Sequence, residues 1–293
     1  MSRLNEKYRR RSQQFYNPET SLPEQVKALI EDGLHGICFS PYTEDQGPGD
    51  DLDPKQIKER LSVISPYFKW VRTFSVSQGN ELIPSIAKSL GLRTMVGVWL
   101  DGDHEKNAEE IETAIAMAKE GVIDLLAVGN EVMLREEMSD DQLVAYLQQV
   151  KEAVPDIPVG YVDAYYLFEN FPKVADACDV IFTNCYPFWE GYSIDHAHVY
   201  MKDMYYRASA VANGKPVIIS ETGWPNQGTA TGLAEPSEKN AMKYFVQAAT
   251  WTKAFDIPLF YFSSFDEEWK VEDEGDVGAF WGLWDKSGIP KFY

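Results

Sequence analysis

Short apolar runs alternate with helix-spaced apolar positions along most of the chain. The runs are HGICFS (35–40), WVRTFS (70–75), RTMVGVW (93–99), LLAVGN (125–130), PVGYV (158–162), VIFTNC (180–185), PVIIS (216–220) and LFYFSS (259–264). They are too continuously apolar for strands with one wet face, so they predict a parallel sheet covered on both sides. Amphipathic stretches separate them, and several have readable ends. Asp53-Pro54 opens one helix, with proline at a favoured first position. Asn107 with Glu110, and Ser139 with Gln142, have the spacing of capping boxes. Gly91, Gly121 and Gly214 follow helical runs as stops. The longest predicted helix runs over 236–255; the weakest, over 169–177 after the fifth strand, is interrupted by Pro172.

Eight strand–helix alternations with no linker or low-complexity tract predict an α/β fold, a single (β/α)8 TIM barrel over residues 1–293. Residues 1–33 form a lead-in before strand one. A doubly wound open sheet would carry a glycine-rich turn after its first strand, and CFSPYTEDQGPGD has no G-x-G-x-x-G spacing. A chain of 293 residues is within the usual size of one such barrel.

Charge narrows the partners. The net charge of −19 argues against nucleic acid and anionic membrane surfaces and suits a neutral or cationic partner. No run of apolar residues is long enough to predict a membrane-spanning helix. The start, MSRLNEKYRRRSQQFY, is basic but lacks the apolar region of a signal peptide, and removal of a signal would leave a similar start. The three cysteines, Cys38, Cys178 and Cys185, lie in apolar runs and read as buried, reduced thiols.

A barrel builds its active site at the C-terminal ends of its strands. Strand four ends in VGNE, presenting Asn130 and Glu131; strand seven ends in SETGWP, presenting Glu221. A single glutamate after a strand commonly caps the next helix. Two on opposite strands form the pair that glycoside hydrolysis needs, one to protonate the leaving oxygen and one to attack the anomeric carbon or activate water. Asn130 is placed to hydrogen-bond a sugar 2-hydroxyl. Arg72, inside strand two, requires a carboxylate partner or hydrogen bonds in the site, because an unpaired buried cation is too costly.

The chain holds 8 Trp, 16 Tyr and 15 Phe, more than packing usually demands. Tyr42, Phe188, Trp189, Trp224 and Trp269 follow strands and are candidates for stacking on sugar rings, joined by Trp99 after strand three. Other signals are set aside. His196 and His198 in DHAH lack a third ligand in metal spacing and read as a solvated helix start. DGDHEKNAEE lacks the glycine and terminal glutamate of a calcium loop. The acidic DEEWKVEDEGD reads mostly as solvated loop, part of it walling the cleft.

VGNE and SETGWP, taken in order with GICFSPY, VRTFS, NCYPFW, FDEEWK and GLWD, resemble glycoside hydrolase family 17, within the clan of (β/α)8 retaining glycosidases. The resemblance covers nearly the whole chain. It implies Glu131 as acid/base and Glu221 as nucleophile. It also implies that Tyr186 hydrogen-bonds the nucleophile, although a rim-packing tyrosine would stand at the same place. In FDEEWK it implies an acid paired with a lysine three residues on, Glu267 with Lys270, with Asp266 and Glu268 as competitors. The substrate class implied is β-1,3-glucan, handled by a monomer without metal or organic cofactor, in the periplasm or outside the cell. Retention would place the two carboxyls about 5–5.5 Å apart. Two other readings remain: a β-1,3-glucan transglycosylase using the same intermediate, and a non-catalytic glucan-binding protein. The rim departs from the family in the acidic loop LDGDHEK and in having no extended insertion after strand six.

Overall fold

The computed structural model describes residue 17, residues 19–43 and residues 45–293. The basic N-terminal start lies outside the described residues. Eight parallel strands close into a barrel in sequence order, each bonded to its chain neighbour and β8 to β1. They are β1 (Leu34–Cys38), β2 (Phe68–Arg72), β3 (Arg93–Val98), β4 (Leu125–Asn130), β5 (Val159–Ala164), β6 (Val180–Asn184), β7 (Val217–Thr222) and β8 (Leu259–Tyr261). All eight apolar runs therefore supply strands. Val96, Leu126, Val159, Ile181, Ile219 and Phe260 are fully buried within them, as a sheet covered on both faces requires. β8 is shorter than its run because the ladder is interrupted at Ser263: Phe262 N–H and Ser264 N–H still donate to Thr222 O on β7 and Cys38 O on β1, but Ser263 N–H donates to Trp281 O and Leu283 N–H to Ser263 O.

The helices are α1 (Leu22–Glu31), α2 (Pro54–Ile64), α3 (Ile83–Ser89), α4 (His104–Lys119), α5 (Asp140–Ala153), α6 (Tyr165–Asn170), α7 (Pro172–Ala177), α8 (Ile194–Val211), α9 (Glu238–Ala254) and α10 (Val271–Glu274). Among the described residues, only the four-residue α10 and short 3-10 turns follow β8. The predicted lead-in supplies α1, which packs against α9 and is tied to it by Lys253 and Asp32. It covers the flank that a full eighth helix would otherwise cover.

Helix ends follow their capping chemistry, with two corrections. Ser139 and Gln142 form the expected reciprocal box at α5. Asn107 and Glu110 do not: α4 starts earlier, where the Asp103 carboxylate accepts from Glu105 N and Lys106 N at 3.1 and 3.3 Å. Asn107 and Glu110 lie inside α4 and turn inward, Asn107 bonding both the N–H and the C=O of Asp101. The weak helix of 169–177 is two helices, breaking at Phe171 before Pro172, with the first starting directly from β5. At Gly91, Gly121 and Gly214 the chain takes positive φ angles of 82°, 77° and 82°, where glycine carries no Cβ penalty.

His198 also departs from expectation. It is buried on α8 at 1% exposure rather than solvated, and burial lowers its pKa to about 3. His196 bonds the Ser193 hydroxyl at the helix start. The three cysteines are free and buried, and burial pushes each thiol up to about 12. Among the described residues no helix is long and apolar enough to cross a membrane, and no cluster of metal-ligating side chains occurs.

Two substitutions on α5 separate cap from core. Ser139→Ala loses one end of the capping box and is expected to cost about 1 kcal/mol. Leu147→Ala, at a fully buried position, is expected to cost about 2–5 kcal/mol. Urea denaturation followed by circular dichroism reads both, and an equal loss would contradict the packing assigned to α5.

Candidate active site

The regular strand registers break where the candidate side chains leave the barrel. Shifts fall between Ala127 and Asn130 on β4, between Thr183 and Asn184 on β6, and between Ile219 and Thr222 on β7. Such irregularities bend a strand and re-aim its side chains. At the end of β4 the backbone takes φ 87° at Gly129 and φ 53° at Glu131. The left-handed region is uncommon outside glycine and costs energy unless the surroundings hold it. Here Glu131 N–H donates to Val162 O at 2.8 Å, and the Tyr161 ring packs against Gly129 where a Cβ would crowd it. After β7, Gly223 passes so near Phe262 that a Cβ would lie 2.1 Å from its carbonyl oxygen.

The Glu221 carboxylate is held from two sides. Arg72 Nη1 donates to Oε1 at 2.6 Å and Tyr186 OH donates to Oε2 at 2.8 Å. The partner that Arg72 required is thus Glu221, and its other nitrogen, Nη2, donates to Asn130 Oδ1 at 2.8 Å. Burial is the largest single influence and disfavours the cation, but the charge of Glu221 together with the contacts to Glu221 and Cys38 more than offsets it and raises the Arg72 pKa. Burial and the same charge push the Tyr186 phenol upward, so it stays a donor.

Glu131 has the opposite surroundings. Asn184 Nδ2 donates to its Oε1 at 2.8 Å, while the Asn184 carbonyl accepts from the Ser220 hydroxyl at 2.7 Å. One asparagine thereby links the two carboxylate-bearing strands. Burial pushes the Glu131 carboxyl up to about 7, reinforced by the charges of Glu221 and Asp163 and opposed by Asn184 and Arg72. Asp163 lies behind it on β5, fully buried, accepting from the Tyr161 hydroxyl and from Ala164 N. Burial raises Asp163 in turn to about 6.

The acids of FDEEWK sort by partner. Glu267 is buried against Lys270, whereas Glu268 pairs with Lys286 and Asp266 with Lys291. Burial works to discharge Lys270, but Glu267 and Glu274 more than offset it and raise its pKa. The aromatics divide between cleft and scaffold. Tyr42 and Trp269 meet edge to face at 6.1 Å and line a cleft of about 1240 Å³ together with Asn130, Glu131, Glu221, Glu267 and Lys270. Trp99 lines the same cleft and is 37% exposed; Trp189 is 39% exposed. Trp224 and Phe188 do not offer a face to a sugar. Both are buried, Phe188 edge-on to Trp224 at 5.3 Å, and the Trp224 indole N–H donates to Glu235 O. Tyr244 of α9 passes behind Trp224 and fills that side.

The structure adds residues that the sequence reading had not singled out. Asn184 opens the quoted NCYPFW, and its place beside Tyr186 at a strand end was an available signal. Glu274, raised to about 7 chiefly by burial, lines the cleft from inside the acidic run DEEWKVEDEGD. Glu110 and Arg135 fix the rim from helix and loop positions that carry no strand-end signal.

A (β/α)8 barrel with two glutamates at the ends of β4 and β7, beside an aromatic-lined cleft, defines a class: this protein is a glycoside hydrolase. More particularly, the chain belongs to the BtgE/BtgC glycoside hydrolase domain family, whose sequence model matches residues 36–282. It is 27% identical over 262 residues to a glucan 1,3-beta-glucosidase of Arthroderma benhamiae, covering 82% of this chain and 84% of the relative. Among solved structures it is similar to the family 17 beta-1,3-glucanosyltransferase of Rhizomucor miehei, at 30% identity and a TM-score of 0.80 over 89% of this chain and 96% of that one. An endo-laminarinase from Formosa shares the fold at 21% identity and a TM-score of 0.76, covering 91% and 87% of the two chains. The resemblance carried by VGNE and SETGWP thus agrees with the comparisons.

The raised Glu131 pKa has a sign that can be checked without substrate. The folded protein holds this group protonated up to about pH 7, whereas its ordinary value is 4.5. Folding therefore loses stability as pH rises from about 4.5 through about 7. Glu131→Gln keeps the Asn184 contact available and removes the ionisation. Its melting temperature relative to the parent should rise across that window and level off above it; a difference independent of pH would contradict the shift.

Proposed function

We propose that the protein acts on β-1,3-glucan chains or oligosaccharides by a retaining double displacement. The observation that carries this reading is the unlike treatment of two neighbouring carboxyls. Glu221 is a carboxylate paired with Arg72 and Tyr186, while Glu131 is pushed up to about 7. A neutral carboxyl beside a paired carboxylate is an acid beside a nucleophile.

In the first step Glu221 attacks the anomeric carbon and the bond to the leaving oxygen breaks. Glu131 gives that oxygen its proton. In the second step water adds to the anomeric carbon, passes a proton to the Glu131 carboxylate and releases Glu221. Loss of the Glu221 charge on forming the ester removes one of the causes that raise Glu131, so its pKa falls when it must give up its proton. Asn130, oriented by Arg72, is assigned to hydrogen-bond the sugar 2-hydroxyl.

The substrate class is supported by relatives named as glucan 1,3-beta-glucosidases and by a Rhizomucor miehei enzyme solved with laminaritriose. The latter is a beta-1,3-glucanosyltransferase at 30% identity, and this favours a second reading, in which a sugar hydroxyl replaces water in the second step. The catalytic residues would be the same. A non-catalytic glucan binder is disfavoured, because it would have no use for a neutral glutamate beside a paired one.

Four measurements test the two readings. Glu131→Gln is expected to lower kcat/KM on laminari-oligosaccharides about 10²–10⁴-fold and to change the alkaline limb near pH 7, to which Glu131 and its coupled neighbours contribute. Glu221→Gln should abolish turnover while the protein still binds the oligosaccharide; unchanged sugar release would refute the nucleophile. NMR of the first products should show the β-anomer, and an α-anomer would exclude retention. Products longer than the starting oligosaccharide would establish transfer in addition to hydrolysis.

A further inference from the structure

Trp99 combines features that barrel packing does not explain. The residue is 37% exposed in the cleft, yet its backbone is held by one buried side chain and its ring is covered by a second side chain. The Glu110 carboxylate of α4, itself 6% exposed, accepts from Trp99 N at 3.0 Å, from Val76 N at 3.1 Å and from the Ser75 hydroxyl at 2.6 Å. The Arg135 guanidinium lies over one face of the indole, 4.5 Å from its centroid. The same guanidinium donates to Leu100 O at 2.8 Å, to Glu137 at 2.7 Å and to the carbonyl oxygen of Asn130. A large aromatic ring held rigid with one face covered is prepared for a flat apolar partner on the other, because little conformational freedom remains to be lost.

We propose that Trp99 is a remote glucosyl-binding platform of the cleft, coupled through Arg135 to the strand end that carries Glu131. This rests on the β-1,3-glucan reading above and names where along the chain a sugar beyond the reacting unit is held. The pyranose ring presents an apolar C–H face to the indole, while Asp101, Lys106 and Glu109 line the same cleft and offer polar partners to sugar hydroxyls. The coupling is direct. Arg135 bonds the Asn130 carbonyl, one peptide before Glu131 at φ 53°. A sugar stacked on Trp99 restrains the indole, the guanidinium against it and the carbonyl that the guanidinium holds. Binding energy from a remote unit then appears partly as faster chemistry and not only as tighter binding.

The experiment is a chain-length series of laminari-oligosaccharides from two to six glucose units. Trp99 is exposed, so Trp99→Ala is expected to fold. Its kcat/KM should fall about tenfold on the longest oligomers and stay near the parent value on the shortest, with Trp99→Phe recovering most of the loss. Part of the loss should appear in kcat; a loss confined to KM overturns the coupling through Arg135. An equal fractional loss at every length, or none, overturns the platform. Calorimetric titration of hexaose into Glu221→Gln, with and without Trp99→Ala, reads the platform without turnover. Weaker binding with Trp99→Ala supports it and unchanged binding overturns it, whereas full activity of Glu221→Gln would refute the nucleophile while leaving the platform standing. A parent that binds no laminari-oligosaccharide would overturn both readings.

Discussion

The ion pair between Arg72 and Glu221 is the constraint around which the barrel mouth is organised. Its side chains are only 2% and 8% exposed and its atoms 2.6 Å apart. Pairs this deep are weak evidence for stability in themselves, because desolvation offsets most of the attraction, but a lone charge left in the same place is strongly destabilising. Each partner therefore requires the other. The guanidinium binds together strands far apart in sequence: Nη2 donates to Asn130 at the end of β4, and Nη1, besides Glu221, reaches the Cys38 sulfur and the Ser220 carbonyl on β1 and β7 at longer range. Once Arg72 is fixed, the positions of the Asn130 amide and the Glu221 carboxylate follow.

The second carboxylate depends on backbone distortion rather than on charge pairing. Glu131 stands two residues after Gly129, which is in the left-handed region, and takes a positive φ itself, at a place where the β4–β5 register shifts. Such a conformation persists only where its surroundings over-determine it. Tyr161 supplies much of this: its ring packs against Gly129, its oxygen accepts from Met133 N, and its proton goes to Asp163. The loop after β4 is thus seated on a buried polar pair whose members satisfy each other. That pair also brings the Asp163 charge close behind Glu131, so the support of the backbone and the tuning of the acid come from one structure.

The legible parts of this protein were those set by local pattern. Continuous apolar runs predicted all eight strands, because a sheet buried on both faces leaves no place for alternation. Knowing that strand ends build the site then reduced many acids to Glu131 and Glu221. What depended on neighbours distant in sequence was harder to read. Trp224 and Phe188 looked like sugar platforms from their positions after strands, but Tyr244 of α9 closes over the first and Trp224 and Trp281 over the second. Asn107 and Glu110 matched a capping box by spacing, yet Asp103 takes the cap because its carboxylate lies before the first turn. Glu110 was thereby free to hold the rim at Trp99. Asn184 was visible in NCYPFW, but its role as the link between Ser220 and Glu131 exists only across the β6–β7 register shift.

The acidity of the chain acquires a local meaning at this site. Most of the net charge of −19 lies beyond a Debye length from any given group and is screened. Buried carboxyls close to the mouth are not. Glu131 and Glu274 are raised to about 7 and Asp163 to about 6, each first by burial. The charge of Glu221 acts on both Glu131 and Glu274, and that of Asp163 on Glu131. Groups that interact in this way titrate as a set, and an activity profile reports the set rather than one residue. A neutral glucan tolerates such crowding, since it brings no charge to be repelled. The same crowding would penalise an anionic polysaccharide at the moment Glu131 loses its proton. Carboxyls gathered around the paired Glu221 thus raise Glu131 and disfavour anionic substrates by the same field.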